Sequence, residues 1–217
     1  MQNLFIGIDV QVSRPCVFVA ADASGTMVDS GWFKTPYEIF QILEGLSGIA
    51  DLHMGIDASR VPLAGLRKWY WNGAKQQWRK KTASDKGLGR HCEVVIKAHN
   101  LANPQWTPKR KDAPAWMQLG FELFRILEKL GTTYEAFPSA SYTLLHDDAS
   151  AEMTINFSKV RKRGTGDLFD AMTAAATVRE FVQGRGCQVG GGDGLGSIIL
   201  PRPLPDPIKP VLQWPDH

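Results

Sequence analysis

The stretch Leu4-Phe5-Ile6-Gly7-Ile8-Asp9-Val10 is apolar almost throughout and broken by one carboxylate. Such a run predicts a strand buried on both faces, and a charge at its end is costly unless something pairs with it. Residues 16–21 and 26–33 follow as further strands, with Ser13-Arg14-Pro15 and Ser24-Gly25 supplying the turns. Short consecutive strands joined this way predict an antiparallel meander. Thr35, Pro36 and Glu38 then mark a helix start, and Tyr37, Phe40, Ile42, Leu43 and Leu46 give that helix an apolar stripe.

Residues 52–58 form a second buried strand whose ending, Gly55-Ile56-Asp57, repeats Gly7-Ile8-Asp9. A strand reached through a helical crossover is expected to lie parallel to its neighbour. Side by side, the two strands would present Asp9 and Asp57 at one carboxyl edge, where open sheets with crossover helices carry their sites. From 59 to about 114 the pattern is irregular: residues 63–71 predict a helix broken by Asn72-Gly73, residues 82–90 a loop, and Arg90-His91-Cys92-Glu93 a second helix reaching about His99. Helical spacing returns with Trp116, Leu119, Leu123, Ile126, Leu127 and Leu130, stopped by Gly131. A third crossover-fed strand spans 132–137, a short helix 139–146, and a long alanine-rich helix 166–183 is capped by Thr165. A small strand is expected at 197–200, and beyond Pro201 an extended Pro-rich tail, 201–217.

Length and composition fit one α/β domain over 1–200, with an insertion at about 60–113. No segment has the length and apolarity of a membrane span or of a secretory leader, so a soluble, cytoplasmic protein with no membrane partner is expected. The three cysteines form no CxxC, which argues against a disulfide framework or a zinc knuckle. The net charge of +3 is unevenly spread: residues 60–112 hold thirteen Lys or Arg against three acids, +10 locally, leaving −7 for the rest. Trp69, Trp71, Trp78, Trp106 and Trp116 lie in or beside that basic stretch. Cations neutralise phosphates and aromatic rings stack on unpaired bases, so nucleic acid, DNA or RNA, is the expected partner. The alternative is a solvated basic surface whose tryptophans pack the insertion down.

Five carboxylates from four elements are candidates for chemistry: Asp9, Asp57, Glu135, and the pair Asp167 and Asp170 near the start of the last long helix. Asp167 and Asp170 are three apart and share a helical face, although acids in a first turn are also favoured by the helix dipole. Carboxylates converging at one edge would repel without cations, and hard divalent ions with oxygen ligands remove that difficulty. A metal pair of this kind hydrolyses phosphodiesters by in-line displacement.

The element order, Phe5-Ile6-Gly7-Ile8-Asp9, Gly55-Ile56-Asp57-Ala58, Arg90-His91-Cys92-Glu93, Glu135-Ala136-Phe137-Pro138-Ser139-Ala140, Asp167-Leu168-Phe169-Asp170-Ala171 and Ser197-Ile198-Ile199-Leu200-Pro201 together resemble the ribonuclease H-like superfamily. More narrowly, the chain resembles the predicted nucleases catalogued as domain of unknown function 429. The resemblance implies an α/β ribonuclease H-like fold with a mixed five-stranded sheet, and a nuclease using two Mg²⁺ or Mn²⁺ ions. It implies metal ligation by Asp9, Asp57, Glu135 and Asp170, with Asp167 beside Asp170 as the further catalytic candidate. Arg60, Arg67, Lys68, Arg79, Lys80, Lys81, Arg90, Lys109, Arg110, Arg161 and Arg163 are the candidate nucleic-acid contacts. Two alternatives stay open: a catalytically silent nucleic-acid-binding protein of this fold, and an actin- or sugar-kinase-like ATP-binding protein.

Overall fold

The computed structural model describes residues 2–145 and 166–215. Its main sheet holds seven strands among the described residues, in the order β3-β2-β1-β4-β7-β9-β8. Strands β1 (Gln2–Asp9), β2 (Cys16–Ala21) and β3 (Met27–Phe33) form the antiparallel meander. Helix α1 (Pro36–Ser47) crosses to β4 (Ala50–Asp57), which lies parallel to β1. The Thr35 hydroxyl accepts from Glu38 N at 3.2 Å, the expected cap. Helix α3 (Ala115–Leu127) leads to β7 (Thr132–Glu135), parallel to β4.

The expected five strands become seven because the chain returns to the sheet after the last long helix, α5 (Gly166–Val182). Strands β8 (Cys187–Gly190) and β9 (Ser197–Leu200) pair as a hairpin, and β9 extends the sheet through one parallel bridge, Glu135 to Ile198. Each strand is four residues long, and β8 opens directly on a Gly-rich run, so the sequence pattern for it was weak.

Strand periodicity assigns the two sheet faces. Leu4, Ile6, Ile8, Phe18, Leu52, Met54 and Ile56 pack with Ile39 and Leu43 of α1 and Leu123, Phe124 and Leu127 of α3. The alternate positions, Phe5, Val17 and Val19, face α5 through Ala171, Met172 and Val178. Gly7 and Gly55 belong to this second face. A Cβ on Gly7 would stand 1.8 Å from Ala171 O, and one on Gly55 would stand 2.5 Å from a Val178 methyl. The helix backbone therefore lies almost directly on the sheet.

The insertion differs from expectation. The helix expected at 63–71 does not form: residues 63–68 are irregular and 69–72 are a strand, β5 (Trp69–Asn72), which pairs with β6 (Gln77–Lys80), and Asn72-Gly73 opens the hairpin turn. Three consecutive aromatics favour a strand over a helix. Helix α2 (His91–Ala98) is where the sequence predicts it. Residues beyond Pro201 are not simply extended either, for α6 (Lys209–Leu212) and Trp214 pack against α2 and the hairpin. Trp78 Nε1 donates to Pro210 O at 2.9 Å, His91 Nε2 bonds Val211 O at 2.8 Å, and the Trp78 and Trp214 rings meet edge-on. Apolar anchors spaced among prolines gave no periodic signal. Among the described residues no helix is long and apolar enough to cross a membrane.

Candidate metal centre

The two Gly-Ile-Asp endings pair in register: Gly7 with Gly55, Ile8 with Ile56, Asp9 with Asp57. Residues two apart on a strand share a face. Each motif thus places its glycine under α5 and its carboxylate just beyond, on the same side. The glycines let α5 descend, and α5 brings Asp170, one residue before the Ala171 that lies over Gly7. One carboxylate oxygen from each of Asp9, Asp57 and Asp170 lies within 4.8 Å of the other two.

These carboxylates line a cleft of about 730 Å³, walled by the Gln11–Ser13 turn, the loop 102–105, Trp116, Phe137 and Ser139. Burial pushes the Asp9 carboxyl up from the usual 3.8 to about 6; the hydrogen bond from Gln11 opposes this, and Asp170 and Asp167 add to it. Burial also holds Asp57 well above the ordinary carboxylate range, reinforced by Asp9, Asp170 and Glu135. Stacked acids in a dry site favour protons or a cation. An all-oxygen carboxylate set is the donor chemistry of hard divalent ions, so Asp9, Asp57 and Asp170 fit Mg²⁺ or Mn²⁺.

Asp167 is drawn elsewhere. Its Oδ1 takes a 2.5 Å ion pair from Arg14, and Gln11 Nε2 spans from Asp9 Oδ2 at 2.8 Å to Asp167 Oδ1 at 3.5 Å. Glu135 lines the cleft but is committed to the protein. It is paired with Ile56, not with Asp57, and so projects to the face opposite α5. There Arg90 Nη1 donates to its Oε2 at 2.8 Å, Arg90 Nη2 holds its Oε1, and Arg60 N adds a bond at 2.9 Å. Glu135 is outside the group of acids whose oxygens lie within 4.8 Å of one another, and its charge already has a buried partner.

The expected nucleic-acid contacts divide in the same way. Arg90 is 1% exposed and clamped between Glu135 and Glu93, its Nε donating to Glu93 Oε1 at 2.9 Å, so its charge is already engaged within the protein. Arg60 turns onto the Phe124 ring and Thr133, and Arg79 is held by both oxygens of Asp85. Arg110 lies over Phe121 while remaining exposed, Lys68, Lys80 and Lys81 are exposed, and Lys109 is partly so. Arg67 sits between the Tyr70 and Trp106 rings. Arg161 and Arg163 lie outside the described residues.

Sequence reasoning missed three residues that touch the acids: Gln11, Arg14 and Tyr142, whose hydroxyl donates to Asp170 Oδ1 at 2.9 Å. Arg14 carried only a turn signal, and Tyr142 sits in the short helix α4 (Pro138–Leu145), far from Asp170 in the chain. The Gly-rich run before β9 has a structural use as well. Asp193 Oδ2 accepts from His91 N at 2.7 Å, capping α2. The chain matches no family model, no curated protein and no solved structure.

Proposed function

We propose that this protein is a metal-dependent nuclease that hydrolyses phosphodiester bonds with two Mg²⁺ or Mn²⁺ ions held by carboxylates. The observation that carries the reading is the convergence of Asp9, Asp57 and Asp170 within 4.8 Å at the edge of an open cleft. Three like charges, two of them with raised affinity for protons, are costly to gather and are expected where function requires them.

Asp9, Asp57 and Asp170 would hold the ions, which when bound supply charge neutralisation and Lewis-acid activation at the phosphoryl group. Gln11 fixes the orientation of Asp9 through its 2.8 Å bond, and Tyr142 does so for Asp170 at 2.9 Å. Arg14 is 58% exposed while paired with Asp167, and a guanidinium so exposed can also meet a phosphate oxygen. Trp116 and Phe137 supply apolar cleft wall against the substrate. The ribonuclease H-like resemblance of the sequence points the same way.

The test is cleavage of labelled single-stranded, duplex and hybrid DNA and RNA in Mn²⁺ or Mg²⁺, by the wild type and by Asp57→Asn. Cutting that needs the metal and disappears in Asp57→Asn is expected. Absence of cutting together with absence of Mn²⁺ binding by calorimetry would sink the reading.

A further inference from the structure

Behind the ridge that borders the metal centre lies a second cavity of about 510 Å³, between the β5–β6 hairpin and α2. Arg67, Tyr70, Trp71, Gln76, Lys97 and Trp106 are among its lining residues, and no acid is. Arg67 is held rigidly, its guanidinium 4.3 Å from the Tyr70 ring centre and 5.1 Å from that of Trp106. Its Nε and Nη1 are buried without a hydrogen-bond partner. The acids nearest to it are engaged: Asp85 by Arg79, and Glu93 by Arg90 and Thr107. Arg67 as a whole is half-buried and also bonded to Tyr70, but these two donors lack an acceptor, which is costly unless one is supplied.

Two further features belong to the same cavity. Gln76 and Asn100, the non-glycine residues with positive φ among those described, at 49° and 54°, both line it. Each has a local cause, Gln76 closing the β5–β6 hairpin and Asn100 ending α2. The ridge itself is shared: Asn100 and Trp106 face the cavity, while residues 102–105 face the metal cleft. Lys97 Nζ, on the cavity side, donates to Asn103 Oδ1, on the cleft side, at 2.9 Å. One side-chain hydrogen bond therefore spans the wall between the two sites.

We propose that this cavity binds one unpaired nucleotide of a single strand whose neighbouring phosphates cross the 102–105 ridge into the metal cleft. Its cations take the phosphate, its amides the base edge, and its aromatic wall the base face. The substrate class is then single-stranded nucleic acid, since a paired base has no exposed face to offer. This rests on the nuclease reading of the cleft for its function, but the binding stands by itself.

The test is fluorescence anisotropy of a labelled twelve-nucleotide oligothymidylate on the full chain in EDTA, where no cutting occurs. Lys97→Glu is compared with Lys129→Glu, which makes the same charge change in the exposed turn after α3. The expected result is at least a tenfold loss of affinity for Lys97→Glu and little change for Lys129→Glu. Arg67→Met, checked by circular dichroism for folding, is expected to behave as Lys97→Glu does, and the duplex form of the oligonucleotide to bind more weakly than the single strand. Equal affinities for Lys97→Glu and wild type, or tighter binding of duplex, overturn the proposal; so does binding of thymidine monophosphate with none of the oligonucleotide. If the oligonucleotide binds as expected but no metal restores cutting, the nuclease reading fails and the cavity remains. If cutting persists and Lys97→Glu changes neither affinity nor KM, the cavity fails and the nuclease remains.

Discussion

Gly7 and Gly55 stand opposite each other on neighbouring parallel strands, and α5 passes directly over both. Their missing side chains set the height of that helix, and so the position of Asp170. Gly7→Ala would drive a methyl group to 1.8 Å from Ala171 O and 2.4 Å from Ala175 N, both backbone atoms that cannot turn aside. A loss of about 3 kcal/mol or more is expected, the upper end for overpacking. Gly45→Ala in α1, where a Cβ meets nothing within 4 Å, is the control and should gain about 0.5–1 kcal/mol. Urea unfolding of the pair measures the difference, and equal midpoints would contradict the packing described.

Metal binding should be strongly pH-dependent. In the folded chain Asp9 titrates at about 6 against an ordinary 3.8. Its folded value lies above the unfolded one, so the stability carried by its proton is fully present below 3.8 and is lost as pH rises through about 6. A divalent ion displaces that proton and restores what was lost. Mn²⁺ affinity should then climb about tenfold per pH unit for each proton displaced as pH approaches 6 from below. Calorimetric titration in two buffers of different ionisation enthalpy counts the released protons; a flat pH profile would exclude the coupling.

Glu135 and Asp57 should separate cleanly. Glu135→Gln weakens the Arg90 clamp and should lower stability while leaving Mn²⁺ affinity unchanged, whereas Asp57→Asn should abolish Mn²⁺ binding and leave the fold intact. Arg90→Met strands two buried carboxylates, Glu93 and Glu135, at an expected cost of about 3–5 kcal/mol. Thermal unfolding with and without Mn²⁺ scores all three.

The docked C-terminal segment should loosen in acid. His91 Nε2 donates to Val211 O while its Nδ1 accepts from Gly192 N at 3.1 Å, an arrangement only the neutral ring can make. Burial lowers its pKa from the usual 6.5, with the Val211 bond and Asp193 acting in the opposite direction. A depressed folded value means that this contribution is present above 6.5 and is lost as pH falls below it. A red shift of tryptophan emission and new proteolytic cuts after residue 200 are expected near pH 5, in wild type but not in His91→Gln, and their absence would contradict this docking.

The repeated Gly-Ile-Asp was legible because a strand's own composition fixes which residues are small and which charged. The crossover after it made the parallel pairing of β1 and β4 predictable; the meander and the bodies of α1, α2, α3 and α5 followed too, and so did the Thr35 cap, whereas α3 ends at Leu127 and not at Gly131, and the expected cap Thr165 lies outside the described residues. Glu135 was beyond that kind of reading. Whether it joins Asp57 depends on one residue of register between β4 and β7, and the observed register pairs it with Ile56. Strand alternation is visible in a sequence, but the phase between two strands is a tertiary property. The tryptophans were ambiguous for a similar reason. Trp71 and Trp78 serve packing among themselves and with Trp214, a residue at the far end of the chain.

The third acid comes from α5, late in the chain, while Asp9 and Asp57 are side by side as soon as β1 and β4 pair. In chain order the segments that carry Asp9 and Asp57 precede the one that carries Asp170 by more than a hundred residues. Without α5 the sheet edge holds two of the three clustered carboxylates, and the cluster is complete only with α5 seated on Gly7 and Gly55. Under the proposed reading, ion binding is in this sense a report that α5 has docked on the sheet.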